Sequence, residues 1–216
     1  VQVSVKNSST SSSGTDYSSF GTKTITITAD GDYTVQFTLL DDNIDEDSET
    51  FILRMNPDGL SMASGQSADL TYTIADNDAQ PTISVANASM TESENTGWAY
   101  ITVNRDRPST RSTQPSYSVS VGGTATGGGT DYNALSPTSY TFDSSNSSTT
   151  DVFSIYIQDD ALDEDAETII FTIDGSNATN GSALVTTLTI NDNDDAPDID
   201  FSAATGSASE GNSGTS

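Results

Sequence analysis

Apolar and polar residues alternate in short runs along the whole chain, and no run keeps the spacing of a helix. In one such run, Val35, Phe37 and Leu39 fall on one side of an extended segment and polar residues on the other. The residues between the runs are mostly Gly, Asn, Asp and Ser, which favour turns. The pattern predicts an all-β fold. The predicted strands are 1–5, 24–28, 33–40, 50–55 and 68–74, followed by 82–85, 98–103, 116–121, 140–142, 152–158, 168–173 and 184–190.

Short alternating strands separated by turn residues are typical of antiparallel β-sandwiches of immunoglobulin-like architecture. We expect the complete part of the chain to form a seven-stranded sandwich. The single Trp98 and most of the Tyr and Phe residues fall on predicted strands. We therefore expect these aromatic side chains to pack in the cores.

The chain contains an internal repeat with a strongly acidic motif. Residues 41–50 read Asp-Asp-Asn-Ile-Asp-Glu-Asp-Ser-Glu-Thr, and residues 159–168 read Asp-Asp-Ala-Leu-Asp-Glu-Asp-Ala-Glu-Thr. Each copy, here called a cassette, lies between two predicted strands and is followed later by an Ile-x-Asp-Asn-Asp end, at 74–78 and 190–194. Gly-Thr-Asp-Tyr also occurs twice, at 14–17 and 129–132.

The repeats divide the chain into three parts. Residues 1–79 correspond to a domain that lacks its first strand or strands, and residues 80–197 correspond to a complete domain. Residues 198–216 repeat the opening of the complete domain, with Glu210 in the place of Glu94. We interpret them as the first strand of a following domain, so the chain is expected to be a segment of a longer head-to-tail array.

Charge narrows the range of partners. The chain has 32 Asp and Glu residues, 6 Lys and Arg residues and no His, which gives a formal charge of −26. Because nucleic-acid binding needs clustered Lys and Arg, nucleic acid is excluded as a partner. The basic residues form one loose group, in the loop 105–111. Without Cys, disulfide and thiol chemistry are excluded, and no run of 18 apolar residues predicts a membrane span.

The carboxylates are better explained by a cation. Ca²⁺ takes six to eight oxygen ligands, and loops that meet at one end of a sandwich can supply them from distant parts of the chain. The alternative is that Asp and Glu decorate exposed turns, where Asp is common anyway. The spacing is not that of an EF-hand, because residues 192–195 lack the Gly and the distal Glu of that loop.

The motifs of the complete domain resemble those of the Calx-β domain. They are, in order, Glu94 after the first strand, Gly-Thr-Ala through Gly-Thr-Asp-Tyr at 123–132, the cassette from 159, and Ile-x-Asp-Asn-Asp at 190–194. The resemblance covers essentially the whole chain. It implies a calcium-binding β-sandwich of the kind found in sodium–calcium exchangers, integrin-associated proteins and very long bacterial surface proteins.

The resemblance also implies which residues bind Ca²⁺. In the complete domain these are Glu94, Asp131, Asp160, Glu164, Asp192 and Asp194, with Asp159 and Asp195 as additional or outer ligands. In the first domain they are Asp16, Asp42, Glu46, Asp76 and Asp78. Asn77 and Asn193 interrupt what can be a run of acids in the ion-sensing members. Fewer charges imply fewer ions or weaker binding.

Paired carboxylates can also hydrolyse glycosides, which makes Asp42 with Glu46 and Asp160 with Glu164 the candidate pairs. These pairs occur twice, in charged turns rather than in an apolar cleft that would raise one pKa. We therefore expect no enzymatic activity.

Abundant Ser, Thr, Gly, Asn and Asp with little Lys favours a secreted or cell-surface bacterial protein. The predicted function is a structural repeat segment of an adhesin stalk or fibre, rigidified by Ca²⁺ at the domain junctions. The alternatives are an adhesive module that contacts carbohydrate or another surface, and a calcium-sensing regulatory domain. Neighbouring copies or repeats are the expected partners. They join head to tail, either by donation of the strand 198–216 to another chain or within one continuous chain.

Overall fold

The computed structural model describes residues 1–6, 9–12, 15–143, 148–202 and 204–207. These residues form thirteen strands and one 3₁₀ turn, with no α-helix among them. In this part of the chain, no helix is long and apolar enough to cross a membrane. The strands are β1 (Gln2–Val5), β2 (Lys23–Thr24), β3 (Glu49–Asn56), β4 (Asp69–Ile74), β5 (Thr82–Val85), β6 (Ser89–Ser93), β7 (Trp98–Arg105), β8 (Ser116–Gly123), β9 (Ser139–Thr141), β10 (Thr150–Tyr156), β11 (Glu167–Ser176), β12 (Thr179–Asn180) and β13 (Val185–Asn191).

The second unit (residues 80–197) is a two-sheet sandwich. One sheet has the strand order β10-β7-β5-β12, and the other has the order β6-β13-β11-β8-β9. Alternate residues of each long strand face inward, as the period-two pattern predicts. Phe171 and Phe153 meet edge to face at 5.4 Å in the shared core, and both are buried. The all-β prediction is confirmed, and the core holds the sheets whose loops carry the acidic motifs.

The strand count of the second unit differs from the sequence prediction, with nine strands instead of seven. The two additional strands are β6 and β12, and each forms a parallel pair, β6 with β13 and β12 with β5. Met90 is the only apolar residue of β6, and β12 has none. Because alternation of apolar residues was the signal, these two polar strands gave none.

Trp98 is a second difference. It lies on β7 but faces outward, and it is 54% exposed. Tyr100 on the same face is 62% exposed, so the prediction that these aromatic side chains fill the core is wrong for both. Strand membership alone does not tell which of the two faces a side chain occupies.

The first unit (residues 1–79) forms one four-stranded sheet, in the order β2-β1-β3-β4. Its small core surrounds Phe51, which contacts Tyr17, Phe20 and Phe37. The predicted strand 33–40 is not a strand in the structure, and the predicted strand 24–28 is reduced to the short β2. In the second unit the matching strand β10 pairs with β7. Among the described residues, no strand of the first unit occupies the place of β7, and 33–40 pairs only through a single bridge between Leu39 and Tyr17.

The described residues at the end of the chain, 198–202 and 204–207, are all exposed. The described residues of 198–216 form no strand, and Glu210 lies outside the described residues. Ile199 is 97% exposed and Phe201 is 90% exposed. In the sequence repeat, these two residues correspond to Ile83 and Val85, which are buried on β5. The following domain therefore stays a prediction.

Candidate metal centres

Loops from four parts of the second unit meet at one end of its sandwich. They are the 3₁₀ turn that follows β6, the β8–β9 connection, the cassette between β10 and β11, and the segment that follows β13. The first provides Glu94 and the second provides Asp131. Strands that run between the two ends of a sandwich bring such distant loops together. One pocket is accordingly lined by Glu94, Asp131, Glu164, Asp165, Glu167, Ile190 and Asp192.

The tightest cluster in this pocket region consists of Glu94, Asp192 and Asp194. One carboxylate oxygen from each lies within 4.8 Å of the others. Glu94 is buried, and its Oε1 accepts a hydrogen bond from the Asp160 backbone N–H at 3.0 Å. Asp194 Oδ2 is buried and has no hydrogen-bond partner in the described structure. A buried carboxylate oxygen without a partner is costly unless a cation or water satisfies it.

Asp131 is positioned by the Gly-Thr-Ala motif at 123–125 and the residue that follows it. Gly123 has a φ of 116°, and a Cβ added to it would lie 2.1 Å from the Thr168 carbonyl oxygen, so only Gly fits. The next two backbone N–H groups, of Thr124 and Ala125, donate to that same oxygen at 2.9 and 3.0 Å. Asp131 then accepts a hydrogen bond from the Thr126 N–H. The loop is thereby fixed next to the start of β11.

The remaining predicted residues of the second unit also reach this region. Asp160 and Glu164 are exposed. Asp160 lies close enough to the buried Glu94 to raise its pKa, and the buried Asp131 raises the pKa of Glu164. Asp159 and Asp195 both lie close enough to Asp194 to raise its pKa. All six residues predicted as ligands are thus brought to the same end of the sandwich.

Crowding shifts the protonation of these acids. Burial raises the pKa of Glu94, Glu164 and Asp194 above the usual values, and neighbouring carboxylates raise them further. Burial, together with Asp131, raises the pKa of Glu167 to about 7. The site therefore stabilises positive charge, whether it comes from protons or from a cation.

Glu167 was not among the predicted ligands, nor was Glu49, its equivalent in the first unit. Burial and Asp16 raise the pKa of Glu49 to about 7 in the same way. Both residues stand at the last acidic position of a cassette, immediately before Thr. That shared position was a signal in the sequence, because a strand that starts there points its first side chain toward the loop cluster.

In the first unit, the predicted residues again share one pocket. It is lined by Asp16, Leu40, Asp41, Asp42, Glu46, Asp47, Glu49, Ile74, Ala75, Asp76, Asn77 and Asp78. Burial raises the pKa of Glu46 and of Asp78. No three carboxylates of this unit approach as closely as the Glu94 cluster, as far as the described residues show.

The two Asn residues that interrupt the acidic ends brace these loops. Asn193 Oδ1 accepts a hydrogen bond from the Asn95 N–H at 3.1 Å, which ties the end of β13 to the turn of Glu94. Asn77 Nδ2 donates to Asp41 Oδ1 at 3.1 Å, which ties the corresponding end to the first cassette. Each Asn thus links two acidic loops through a hydrogen bond.

The first cassette also contacts the second unit. Asp45 is fully buried, and its carboxylate accepts hydrogen bonds from the Ser109 hydroxyl at 2.9 Å and from Arg111 Nε at 2.5 Å. The backbones pair as well, since the Thr110 N–H donates to the Asp45 carbonyl at 3.0 Å. Thr110 Oγ1 donates to Glu46 at 3.0 Å. Neither Asp45 nor Arg111 was predicted to be important, because the sequence does not show which cassette faces the basic loop.

The donor set fits a hard divalent cation. All the candidate ligands are carboxylates, whose oxygens suit Ca²⁺. In the second unit, the unpartnered Asp194 Oδ2 is an oxygen that such an ion could bind. No His or Cys is available to favour a softer metal.

Comparison with known proteins gives one family. The Calx-beta domain family model matches residues 1–78 and 76–194. Among solved structures, the chain is similar to the apo-form Calx CBD1 domain, with 24% identity and a TM-score of 0.47 over 54% of this chain and 100% of that one. It is also similar to CBD12 from CALX1.2, with 24% identity and a TM-score of 0.46 over 52% of this chain and 45% of that one.

A third similar structure is the calcium binding domain CBD12 of CALX1.1. It shares 23% identity and a TM-score of 0.43, over 52% of this chain and 46% of that one. The chain thus spans less than half the length of the two CBD12 structures. No curated protein sequence matches it.

In a chelator, we expect the second unit to lose stability as the pH rises from about 5 to about 8. The folded state raises the pKa of Glu167 from 4.5 to about 7. This group therefore stabilises the fold below its unfolded pKa, and the contribution is lost as the pH rises through the folded pKa. Thermal unfolding followed by Trp98 fluorescence measures the effect. Glu167→Gln should flatten the profile, whereas Asp163→Asn, at an exposed position of the same cassette, should not. Equal slopes in all three proteins would contradict the assignment.

Proposed function

The chain belongs to the Calx-beta domain family, and on that premise we propose that it is a calcium-binding structural segment of an extracellular or cell-surface protein. The observation that carries the proposal is the Glu94, Asp192 and Asp194 cluster with its unpartnered buried oxygen. The proposed ligands of the second unit are Glu94, Asp131, Asp160, Glu164, Asp192 and Asp194, with Glu167 added from the structure. Those of the first unit are Asp16, Asp42, Glu46, Asp76 and Asp78.

A bound Ca²⁺ would supply positive charge at a point where several carboxylates converge. The chain's own residues position the loops that carry these carboxylates. The backbone contacts of Glu94 and Asp131 hold two of the loops in place, and the Asn193 bond holds a third. Asp76 and Asp78 stand immediately before the linker 79–80, and Asp192 and Asp194 stand immediately before the linker 195–196. A filled site would therefore restrain the linker that follows it. This supports a stiff spacer and requires no catalytic step.

Calcium should raise the melting temperature of the second unit, and removal of ligands should abolish the rise. Extracellular sites bind at about 10⁻⁴ to 10⁻³ M, so 10 mM calcium should add about 1.4 to 2.7 kcal/mol to the free energy of unfolding. The measurement is thermal unfolding, followed by Trp98 fluorescence, in calcium and in a chelator. The test variant is Glu94→Gln with Asp194→Asn, and Asp163→Asn is the matched control. A wild-type protein that melts at the same temperature in both buffers would end the proposal.

An adhesive role is the second candidate, because the outer face of β7 carries exposed aromatic side chains. Trp98 lies opposite Tyr156 on β10, with the rings 5.2 Å apart, and Tyr100 follows on the same face. Exposed rings of this kind can stack on sugars.

Soluble polysaccharides should quench or shift the fluorescence of Trp98, the single Trp of the chain. Tyr100→Ala should weaken the effect several-fold, and Leu162→Ala, at an exposed apolar residue in the cassette, should not. Unchanged fluorescence with every polysaccharide would leave the spacer as the function.

For assembly, we propose that units follow one another head to tail and that Ile199 and Phe201 enter the incomplete core of a further unit. The support is their near-complete exposure and their correspondence to the buried Ile83 and Val85. The open edge of a sheet readily accepts such a strand. The donor and the acceptor belong either to two chains or to one continuous polypeptide.

Denaturing electrophoresis of the native material separates these two routes. A band near 22.5 kDa, the mass of this chain, supports donation between chains, and material of very high mass alone supports a continuous array. In the first case, Ile199→Asp with Phe201→Asp should abolish concentration-dependent assembly in light scattering. Ser202→Asp is the control, and assembly that survives the double change would contradict strand entry.

A further inference from the structure

The loop 106–112 of the second unit packs against the first cassette. The side chain of Asp45 is fully buried against this loop, and the backbone of Asp45 forms a parallel bridge with Ser109. On the outer side, Asp47 accepts a hydrogen bond from the Ser112 N–H at 2.7 Å. The contact therefore combines backbone pairing with side-chain hydrogen bonds, which gives it a defined register.

Arg111 is the charged centre of this contact. Its guanidinium reaches Asp45 at 2.5 Å, Asp76 at 3.3 Å and Asp47 at 3.5 Å. The Asp45 and Asp76 side chains are 0% and 10% exposed, so both ion pairs are largely shielded from water. Three carboxylates thus share one fixed cation that the chain itself provides.

Asp76 links this contact to the metal site. It is one of the proposed calcium ligands of the first unit, and it lines the same pocket as Glu46 and Glu49. Its Oδ2 accepts a hydrogen bond from the Glu46 N–H at 3.1 Å as well as the contact from Arg111. One oxygen of a proposed ligand is thereby already engaged by the chain.

The second unit shows the same cassette without this contact. Asp163 corresponds to Asp45, and Asp192 corresponds to Asp76. Asp163 is exposed instead of buried, and none of the described ion pairs of Lys6, Arg54, Arg107 and Arg111 involves the second cassette. The two sites are therefore alike in their acids and different in the cation that the chain brings to them.

We propose that Arg111 is a built-in counter-ion of the first acidic site. The guanidinium holds the two units together without metal, and it reduces the calcium that the first site binds relative to the second. The second statement rests on the proposed calcium function, and the first does not. Arg111 recognises the part of the first cassette that carries Asp45 and Asp47. Its planar guanidinium can donate hydrogen bonds to more than one carboxylate at once.

The test uses the full chain with three variants. Arg111→Ala removes the counter-ion, Arg111→Lys keeps the charge but lacks the planar fork that bridges Asp45 and Asp76, and Arg107→Ala is the control. Arg107 has the same charge and lies near enough to act on Asp78 of the same pocket, but its ion pair is with Asp106, at 3.6 Å. The control therefore removes a nearby cation whose ion pair is not with a proposed ligand. Circular dichroism confirms that each variant retains its β-structure before the comparison.

Small-angle scattering in a chelator measures the joint. We expect the wild type and Arg107→Ala to share one narrow distribution of distances, and Arg111→Ala and Arg111→Lys to show a broader one. Calcium titration by calorimetry measures the site. Arg111→Ala should bind at the first site roughly tenfold more tightly than Arg107→Ala, because a cation adjacent to the ligands is gone.

Each arm can overturn its own part of the proposal. An unchanged distance distribution in Arg111→Ala would show that the joint does not depend on the guanidinium. Equal calcium binding by Arg111→Ala and Arg107→Ala would show that Arg111 does not compete with the ion. If no protein in the series binds calcium, the proposed function fails, while the scattering arm still decides whether Arg111 holds the joint.

Discussion

Repulsion between carboxylates at the ends of the sandwiches is the constraint on which the rest of the structure depends. A chain with a formal charge of −26 would be expected to keep its acids apart, yet it collects them in two loop clusters. Glu94, Asp131 and Asp45 are buried there. Burying a carboxylate costs free energy unless hydrogen bonds or a cation compensate for it. Positive charge would relieve this cost in each cluster: Arg111 brings it to the first, and the proposed Ca²⁺ would bring it to the second.

The sandwich makes such clusters possible because its cores fix the loops from behind. Phe171 and Phe153 hold the two sheets of the second unit together, and Gly123 allows the backbone approach that places the Asp131 loop. Backbone N–H groups then offset part of the repulsion, as Asp160 does for Glu94 and Thr126 does for Asp131. What these bonds leave unsatisfied, above all Asp194 Oδ2, is the part that the proposed cation would satisfy.

Much of this could be predicted from the sequence, for identifiable reasons. Strands such as β7 and β11 carry alternating apolar residues, so their positions were predicted to within a few residues. Repetition of the cassette likewise indicated which acids would meet. The polar strands β6 and β12 gave no such signal. Segment 33–40 has the right pattern and yet forms no strand, because pairing depends on a neighbour that the pattern of one segment cannot reveal. Trp98, which faces outward on β7, shows a related limit, because strand membership alone does not tell which face of the sheet a side chain occupies.

The contact between Arg111 and Asp45 was also beyond prediction, since it joins residues 66 positions apart in two different units. Its consequence concerns how the units communicate. Within the first cassette, Glu46 and Glu49 line the candidate metal pocket, and Asp45, which precedes them, is buried against the neighbouring unit. The segment is extended and carries both functions on adjacent residues. On the proposed calcium function, an ion bound by Glu46 would lie one residue away from the buried Asp45. Occupancy of the site and stiffness of the joint would then be coupled through the backbone of the cassette itself, without a separate hinge.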